Sequence, residues 1–270
     1  MLQEMLKDKV ALVTGGGRGI GEASARRLAE YGAKVILADL DIATATAAAQ
    51  SMRDQGMEAT ALEFNVAEFD TIRQKVDAAK AIYGRIDILV NVAGITGSTP
   101  IEEITPASWD RMMDIDLKSM FFVTQAVFEV MKAQHYGKMV HMSSLAALRG
   151  GRSSDASYAC AKAGILNLSK CFALKGAEHH ITSNAVCPGN FLDGPLWSDP
   201  VRGLFVQYLE AGKVPGAKTV ADVRRYYEAK VPMNRGCLPV DVARAVMYCV
   251  EQKYETGQAI PVTGGQVMLN

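Results

Sequence analysis

A doubly wound α/β fold with a parallel sheet is expected from the amino-acid pattern. Short apolar runs rich in β-branched residues recur along the chain, and helix-period segments separate them. A glycine-rich turn joins the first run to the first helix.

In chain order, the apolar runs are Val10–Thr14, 35–38, 86–92, 139–142 and 181–187, with a last strand at Ala259–Val262. Each is too short for a helix and apolar on both faces, the pattern of a strand covered from both sides. Between them, segment 21–31 reads as a helix closing at Gly32. The alanine-rich 42–55 closes at Gly56, and 69–83 closes at Gly84. Glycine is favoured there because a helix commonly ends in a left-handed residue. Segment 109–134 is long enough for one helix, 156–177 forms another, and 240–251 precedes the last strand. Strand and helix alternating through short connections implies right-handed crossovers. Sheets of this kind bind ligands beyond the carboxyl ends of their strands, near the switch in strand order.

The 270 residues are 49% hydrophobic and 21% charged, which suits one domain spanning 1–270 with a full core. No low-complexity tract or repeat divides them. With 29 basic and 29 acidic residues, the formal net charge is +0, which argues against electrostatic capture of nucleic acid or a membrane surface. The start, MLQEMLKDK, lacks the apolar stretch of a signal peptide, and no run reaches the ~18 apolar residues of a membrane span. Five scattered cysteines form no CxxC pair, so a reducing cytoplasm is expected. No His/Cys/carboxylate cluster has zinc-like spacing, and no metal is expected.

The turn Thr14-Gly15-Gly16-Gly17-Arg18-Gly19-Ile20-Gly21 has the spacing GxxxGxG rather than GxGxxG, with the same physics. Glycines permit a tight turn and close backbone approach, and the helix amino end faces a pyrophosphate. Asp39 ends the second run, where a carboxylate accepts hydrogen bonds from a ribose 2′-hydroxyl and repels a 2′-phosphate. NAD is therefore expected over NADP. Arg18 is the competing signal, as a phosphate-binding guanidinium. A competing role for Asp39 is capping the helix near Ile42, which Asp41 could equally supply. In SDASYACAKAG, Tyr158 and Lys162 stand four apart, on one helix face. Between them, Cys160 reads as a small hydrophobe. A free tyrosine ionises near pH 10, and a nearby ammonium favours its phenolate.

Together these motifs resemble the short-chain dehydrogenase/reductase family over nearly the whole chain: Thr14 to Gly21, Asn91-Val92-Ala93-Gly94, Ser143-Ser144, Tyr158 with Lys162, and Pro188-Gly189, in the family's order. The resemblance implies a Rossmann-type sheet of seven parallel strands with helices on both faces, a nicotinamide cofactor and often a homotetramer. It casts Tyr158 as acid/base, Lys162 as its tuner and a ligand of the nicotinamide-side ribose, and Ser144 as the serine on the substrate oxygen, with Ser143 its rival. Asp116 stands where many relatives have a catalytic asparagine. The implied cofactor residues begin with Gly15, Gly17, Arg18, Gly19, Ile20 and Gly21 of the turn, then Asp39. Asn65 and Val66 follow beside the adenine. Asn91, Ala93 and Gly94 line the adenosine and ribose. Pro188, Gly189 and Phe191 hold the nicotinamide end, with Tyr158 and Lys162. Asp193 replaces a common threonine.

GNFLDGPLW, KVPMNRGC and TGQAIPVTGGQVM resemble the polyol branch of that family, including sorbitol-6-phosphate 2-dehydrogenases. This implies a polyol–ketose couple, with a lid at about 190–230 over the substrate. Whether the substrate is phosphorylated stays open; Arg149, Arg152, Lys213 and Lys218 are the positive candidates. Reduction of a 3-oxoacyl thioester, steroid or diketone is the alternative enzyme reading. A non-catalytic dinucleotide-binding protein is the alternative from another class.

Overall fold

The computed structural model describes residues 5–96, 99–150, 156–201 and 203–268. Seven strands form one parallel sheet: β1 (Val10–Thr14), β2 (Lys34–Asp39), β3 (Ala59–Glu63), β4 (Ile88–Asn91), β5 (Gly137–Met142), β6 (Ile181–Pro188) and β7 (Ala259–Val262). Their order is β3-β2-β1-β4-β5-β6-β7. The order reverses between β1 and β4, so a crevice opens where Thr14 and Asn91 lie side by side.

The apolar runs missed β3. Its sequence, ATALE, sits at the sheet edge with only Ala59 buried, so it lacks the continuous apolar signature of a central strand. The central strands behave as expected. Ala11 and Val13 face one layer, with Leu28 of α1 (Gly19–Glu30), Ala49 of α2 (Ile42–Arg53) and Val246 of the last helix. Val10 and Leu12 face the other, with Val76 of α3 (Ile72–Tyr83) and Met131 of the long central helix. Alternate residues of one strand thus feed two cores, and each fully buried aliphatic side chain contributes about 1.5–3 kcal/mol.

The expected single helix at 109–134 begins earlier and is interrupted. Thr105 and Ser108 form a capping box for α4 (Pro106–Met113), a π-helical segment follows (Asp114–Lys118), and α5 (Ser119–Gln134) completes it. A π-turn adds a residue to one helical turn and is common at functional sites; this one contains Asp116. Beyond β5 come the short α6 (Leu145–Arg149) and the long α7 (Ala156–Gly176). Segment 190–230 holds α8 (Pro195–Ser198), α9 (Leu204–Glu210) and α10 (Val220–Glu228) around their own apolar cluster of Leu192, Phe205, Val214, Val223 and Tyr227. The last helix is α11 (Pro239–Glu251).

Candidate active site

The glycine turn is built by close backbone approaches. A Cβ on Gly21 would lie 1.9 Å from the Gly15 carbonyl oxygen, and one on Gly15 would lie 2.9 Å from the Ala93 nitrogen. Gly15 also has φ +64°, in the left-handed region. Arg18 caps α1 through an extended backbone with no side-chain hydrogen bond, so the first-turn N–H groups have no side-chain cap. That cradle fits a dinucleotide pyrophosphate. Asp39 is fixed beside it: Oδ2 accepts from the Gly17 N–H at 2.9 Å and Oδ1 from the Asp41 N–H at 3.0 Å. The competing capping role belongs to Asp41, which accepts from the Thr44 N–H at 3.1 Å.

A cleft of about 820 Å³ runs along the carboxyl ends of the strands. Gly15, Arg18, Ile20 and Asp39 line one end, with Asn65 and Val66. Ala93 and Gly94 line its middle, and Pro188, Gly189 and Phe191 line the end that holds Ser144, Tyr158 and Lys162. Gly17 and Gly19 shape the turn, Gly17 through its bond to Asp39 and Gly19 through φ +58°. Asn65 also organises its own loop, accepting from the Ala67 N–H at 3.1 Å and donating to Glu68 at 3.0 Å.

Asn91 departs from the expectation. Its side chain is buried and turned away from the cleft: Nδ2 donates to Thr124 Oγ1 at 3.0 Å and approaches His141 Nδ1 at 3.3 Å, while Oδ1 accepts from Thr14 Oγ1 at 3.3 Å. It belongs to a buried polar chain that His141 Nε2 extends to Ser183 Oγ at 3.1 Å. Asn91 therefore steadies the strand ends beneath the cofactor turn rather than contacting a ligand through its side chain. Burial pushes the His141 imidazole down to about 3, while an unfolded histidine titrates near 6.5. Between those values the unfolded chain binds a proton that the native chain refuses, so stability falls with acidification. We expect His141→Gln to remove roughly 1 kcal/mol of the stability lost between pH 6 and pH 5. Urea unfolding at both pH values checks this; identical pH slopes for the two proteins would refute it.

The reactive cluster lies beside the carboxyl end of β5. On α7, Lys162 Nζ sits 5.4 Å from the centroid of the Tyr158 ring. Ala159 and Ala161 are buried, whereas Cys160, read as a small hydrophobe, is exposed. The serine pair divides its work. Ser143 Oγ donates to the Lys162 carbonyl at 2.8 Å and is committed to packing. Ser144 caps α6, its Oγ accepting from the Ala146 N–H at 3.1 Å, which leaves the hydroxyl proton to donate into the cleft.

Asp116 is fully buried. Its Oδ1 accepts from the Ile95 N–H at 2.7 Å and its Oδ2 meets Lys162 Nζ at 2.9 Å. Lys162 also donates to the Met142 carbonyl at 3.2 Å. Burial alone would push the ammonium down; the Asp116 carboxylate, helped by Tyr158, outweighs it and raises the Lys162 pKa. Asp193 also has a partner the sequence did not reveal, Arg224 of α10 at 2.6 Å. Trp197, Leu204 and Tyr208 reach the cleft from segment 190–230, and Ile95 and Met142 act through their backbones. Backbone roles leave no residue-type signal. Arg152 lies outside the described residues. Among the described residues no group of three or more His, Cys, Asp or Glu could hold a metal ion, and no helix is long and apolar enough to cross a membrane.

The family model described as short chain dehydrogenase matches residues 9–198. Galactitol 2-dehydrogenase from Agrobacterium fabrum is 37% identical over 266 residues, 97% of this chain and 99% of that protein. Among solved structures, NAD+-bound xylitol dehydrogenase superposes with a TM-score of 0.86 at 30% identity, over 97% of this chain and 100% of the other. A variant of the actinorhodin polyketide ketoreductase with NADPH gives 0.85 at 29% identity, over 97% of this chain and 99% of the other.

Proposed function

The chain belongs to the short-chain dehydrogenase family and is an NAD(P)-dependent oxidoreductase; on that premise we propose that it uses NAD to interconvert a secondary alcohol of a polyol, free or phosphorylated, with the ketose. One observation carries the reading: Ser144, Tyr158 and Lys162 share a single cleft with Asp39 at its other end. A bound nicotinamide would supply the acceptor for the hydride of the carbinol carbon. Tyr158, as phenolate, takes the hydroxyl proton. Ser144 donates a hydrogen bond to the same oxygen, an interaction that strengthens as charge develops there. Lys162, held as an ammonium by Asp116, favours the phenolate and binds the neighbouring ribose. Trp197 and Tyr208 support a lid over 190–230, which would exclude water.

The identity with galactitol 2-dehydrogenase supports the polyol couple. Reduction of another carbonyl is the second reading, favoured by Arg18 in the cleft and by the likeness to the NADPH-bound ketoreductase. The test is oxidation of sorbitol, galactitol and their 6-phosphates with NAD and with NADP, followed by reduced-nicotinamide absorbance. Turnover confined to NADPH-linked reduction of oxoacyl thioesters or diketones would reject the polyol couple. We also propose a cytoplasmic homotetramer; the five unpaired cysteines and the exposed Phe121 and Leu174 on α5 and α7 support it.

Asp39 tests the choice of cofactor. Losing charge-assisted bonds to the ribose hydroxyls removes about 1.5–3 kcal/mol. We expect Asp39→Ser to lower kcat/KM for NAD by roughly 10- to 100-fold and to raise that for NADP. An unchanged ratio between the two cofactors would remove Asp39 from this role.

A further inference from the structure

The turn that follows β6 lines the cleft through Pro188, Gly189 and Asn190. The strand ends at Pro188, so the backbone groups of the next two residues need partners outside the sheet ladder. Three of them find one. The Gly189 N–H donates to the Val262 carbonyl at 2.8 Å, and the Asn190 carbonyl accepts from the Cys237 N–H at 2.8 Å. Both partners are backbone groups, which almost any residue supplies. The Asn190 N–H differs: it donates to Oε1 of the Gln266 side chain at 3.2 Å.

The segment after β7 is folded to deliver that side chain. Gly264 and Gly265 have φ +61° and +87°, conformations that glycine adopts without steric cost. Thr263 closes the loop, its Oγ1 donating to the Val267 carbonyl at 3.1 Å and accepting from the Val267 N–H at 3.4 Å. The Gln266 N–H donates to the Thr263 carbonyl at 3.2 Å. The approach is close. A Cβ on Gly189 would lie 2.8 Å from Gln266 Oε1 and 3.0 Å from Thr263 Cα. The bare position 189 and the long side chain at 266 are therefore fitted to one another.

One group in the turn has no partner. Among the described residues the Gly189 carbonyl accepts no hydrogen bond, although Gly189 is buried. A trans peptide points its C=O opposite to its N–H. Tying the Asn190 N–H to Gln266 thus turns the Gly189 carbonyl away from the segment after β7. A buried carbonyl without a donor is costly unless a ligand supplies one, and a carboxamide NH2 is such a donor.

We infer that Gln266 is a positioning residue for the nicotinamide end of the cofactor: its amide oxygen fixes the Gly189–Asn190 peptide plane and so aims the Gly189 carbonyl. Gln266 itself stands outside the lining of the cleft and acts through the turn. The inference rests on the reading that this turn holds the nicotinamide, and is independent of the substrate oxidised.

The experiment titrates NADH and ADP-ribose, which lacks the nicotinamide, into the native chain, Gln266→Met and Gln266→Glu by calorimetry. The native chain binds NADH more tightly than ADP-ribose. Gln266→Met, similar in volume but without the oxygen acceptor, weakens NADH roughly 3- to 10-fold and leaves ADP-ribose unchanged. Gln266→Glu, which keeps an acceptor, restores most of the NADH affinity. Equal weakening of both nucleotides in Gln266→Met overturns the inference, because it reports damage to the fold rather than to one end of the cleft. NADH affinity that survives in Gln266→Met, or a loss that Gln266→Glu does not repair, overturns it as well. A native chain that binds the two nucleotides equally removes the nicotinamide from this turn, and the reading beneath the inference falls with it.

Discussion

Tyr158→Phe is expected to lower turnover by about a thousandfold, while NADH binds with near-native affinity. The substitution removes one hydroxyl and leaves the ring, its place on α7 and the Lys162 ammonium 5.4 Å from the ring centroid. Positioned acid–base groups contribute roughly 10²- to 10⁴-fold, and Lys162, the titratable neighbour in the same cleft, is held as an ammonium by Asp116 and so has no lone pair to take the proton. His141, the nearest imidazole in sequence, is sealed under the sheet between Asn91 and Ser183 and stays neutral down to about pH 3. Single-turnover kinetics separates the chemical step from binding, and NADH fluorescence reports the binding. A variant retaining near-normal kcat would remove Tyr158 from proton transfer. The affinity arm guards against a trivial loss, because a damaged cradle around Gly15 and Gly21 would weaken NADH as well.

Much of this site was legible because its physics leaves local marks. Glycines that admit only close backbone contact, as at Gly21, must stand at fixed offsets after a buried strand. Tyr158 and Lys162 share a face because of helical spacing, whatever surrounds them. Asp39 and Asp41 could not be told apart by sequence, since either carboxylate can cap a helix; hydrogen bonds to Gly17 and Thr44 assign one to the cleft and the other to α2. Asn91 misled for the opposite reason. Its motif follows β4 into the cleft, but its side chain points into the sheet, where Thr124 and His141 satisfy it. β3 escaped because an edge strand buries too little to need an apolar run. The Asp193–Arg224 pair joins residues 31 apart, and no periodicity records such a contact.

Asp116 carries the largest departure from the family pattern. In the native protein a carboxylate lies 2.9 Å from the Lys162 ammonium, both buried. The pair is close to neutral as a unit, so Lys162 lends less positive charge to Tyr158 than an unpaired ammonium would. Replacing Asp116 by asparagine keeps an oxygen for the Ile95 N–H and removes the negative charge. Two shifts follow, both toward lower pH. The acidic limb of NAD-linked oxidation moves down because the phenolate gains electrostatic support. The alkaline limb moves down because burial, no longer opposed by Asp116, lets Lys162 lose its proton earlier. An opposite charge at this range is worth about 1–3 pH units, so a log(kcat/KM) profile between about pH 6 and pH 11 resolves the displacement. Stability follows the same sign. A lysine whose folded pKa is raised stabilises the fold fully below its unfolded value near 10.4 and loses that contribution as pH rises through the folded value. Asp116→Ala strips the partner altogether and is expected to cost about 3–5 kcal/mol, the penalty for a buried charge left alone. An Asp116→Asn enzyme with an unshifted profile would mean that the carboxylate serves packing alone, and that Lys162 acts on Tyr158 as it would beside a neutral amide.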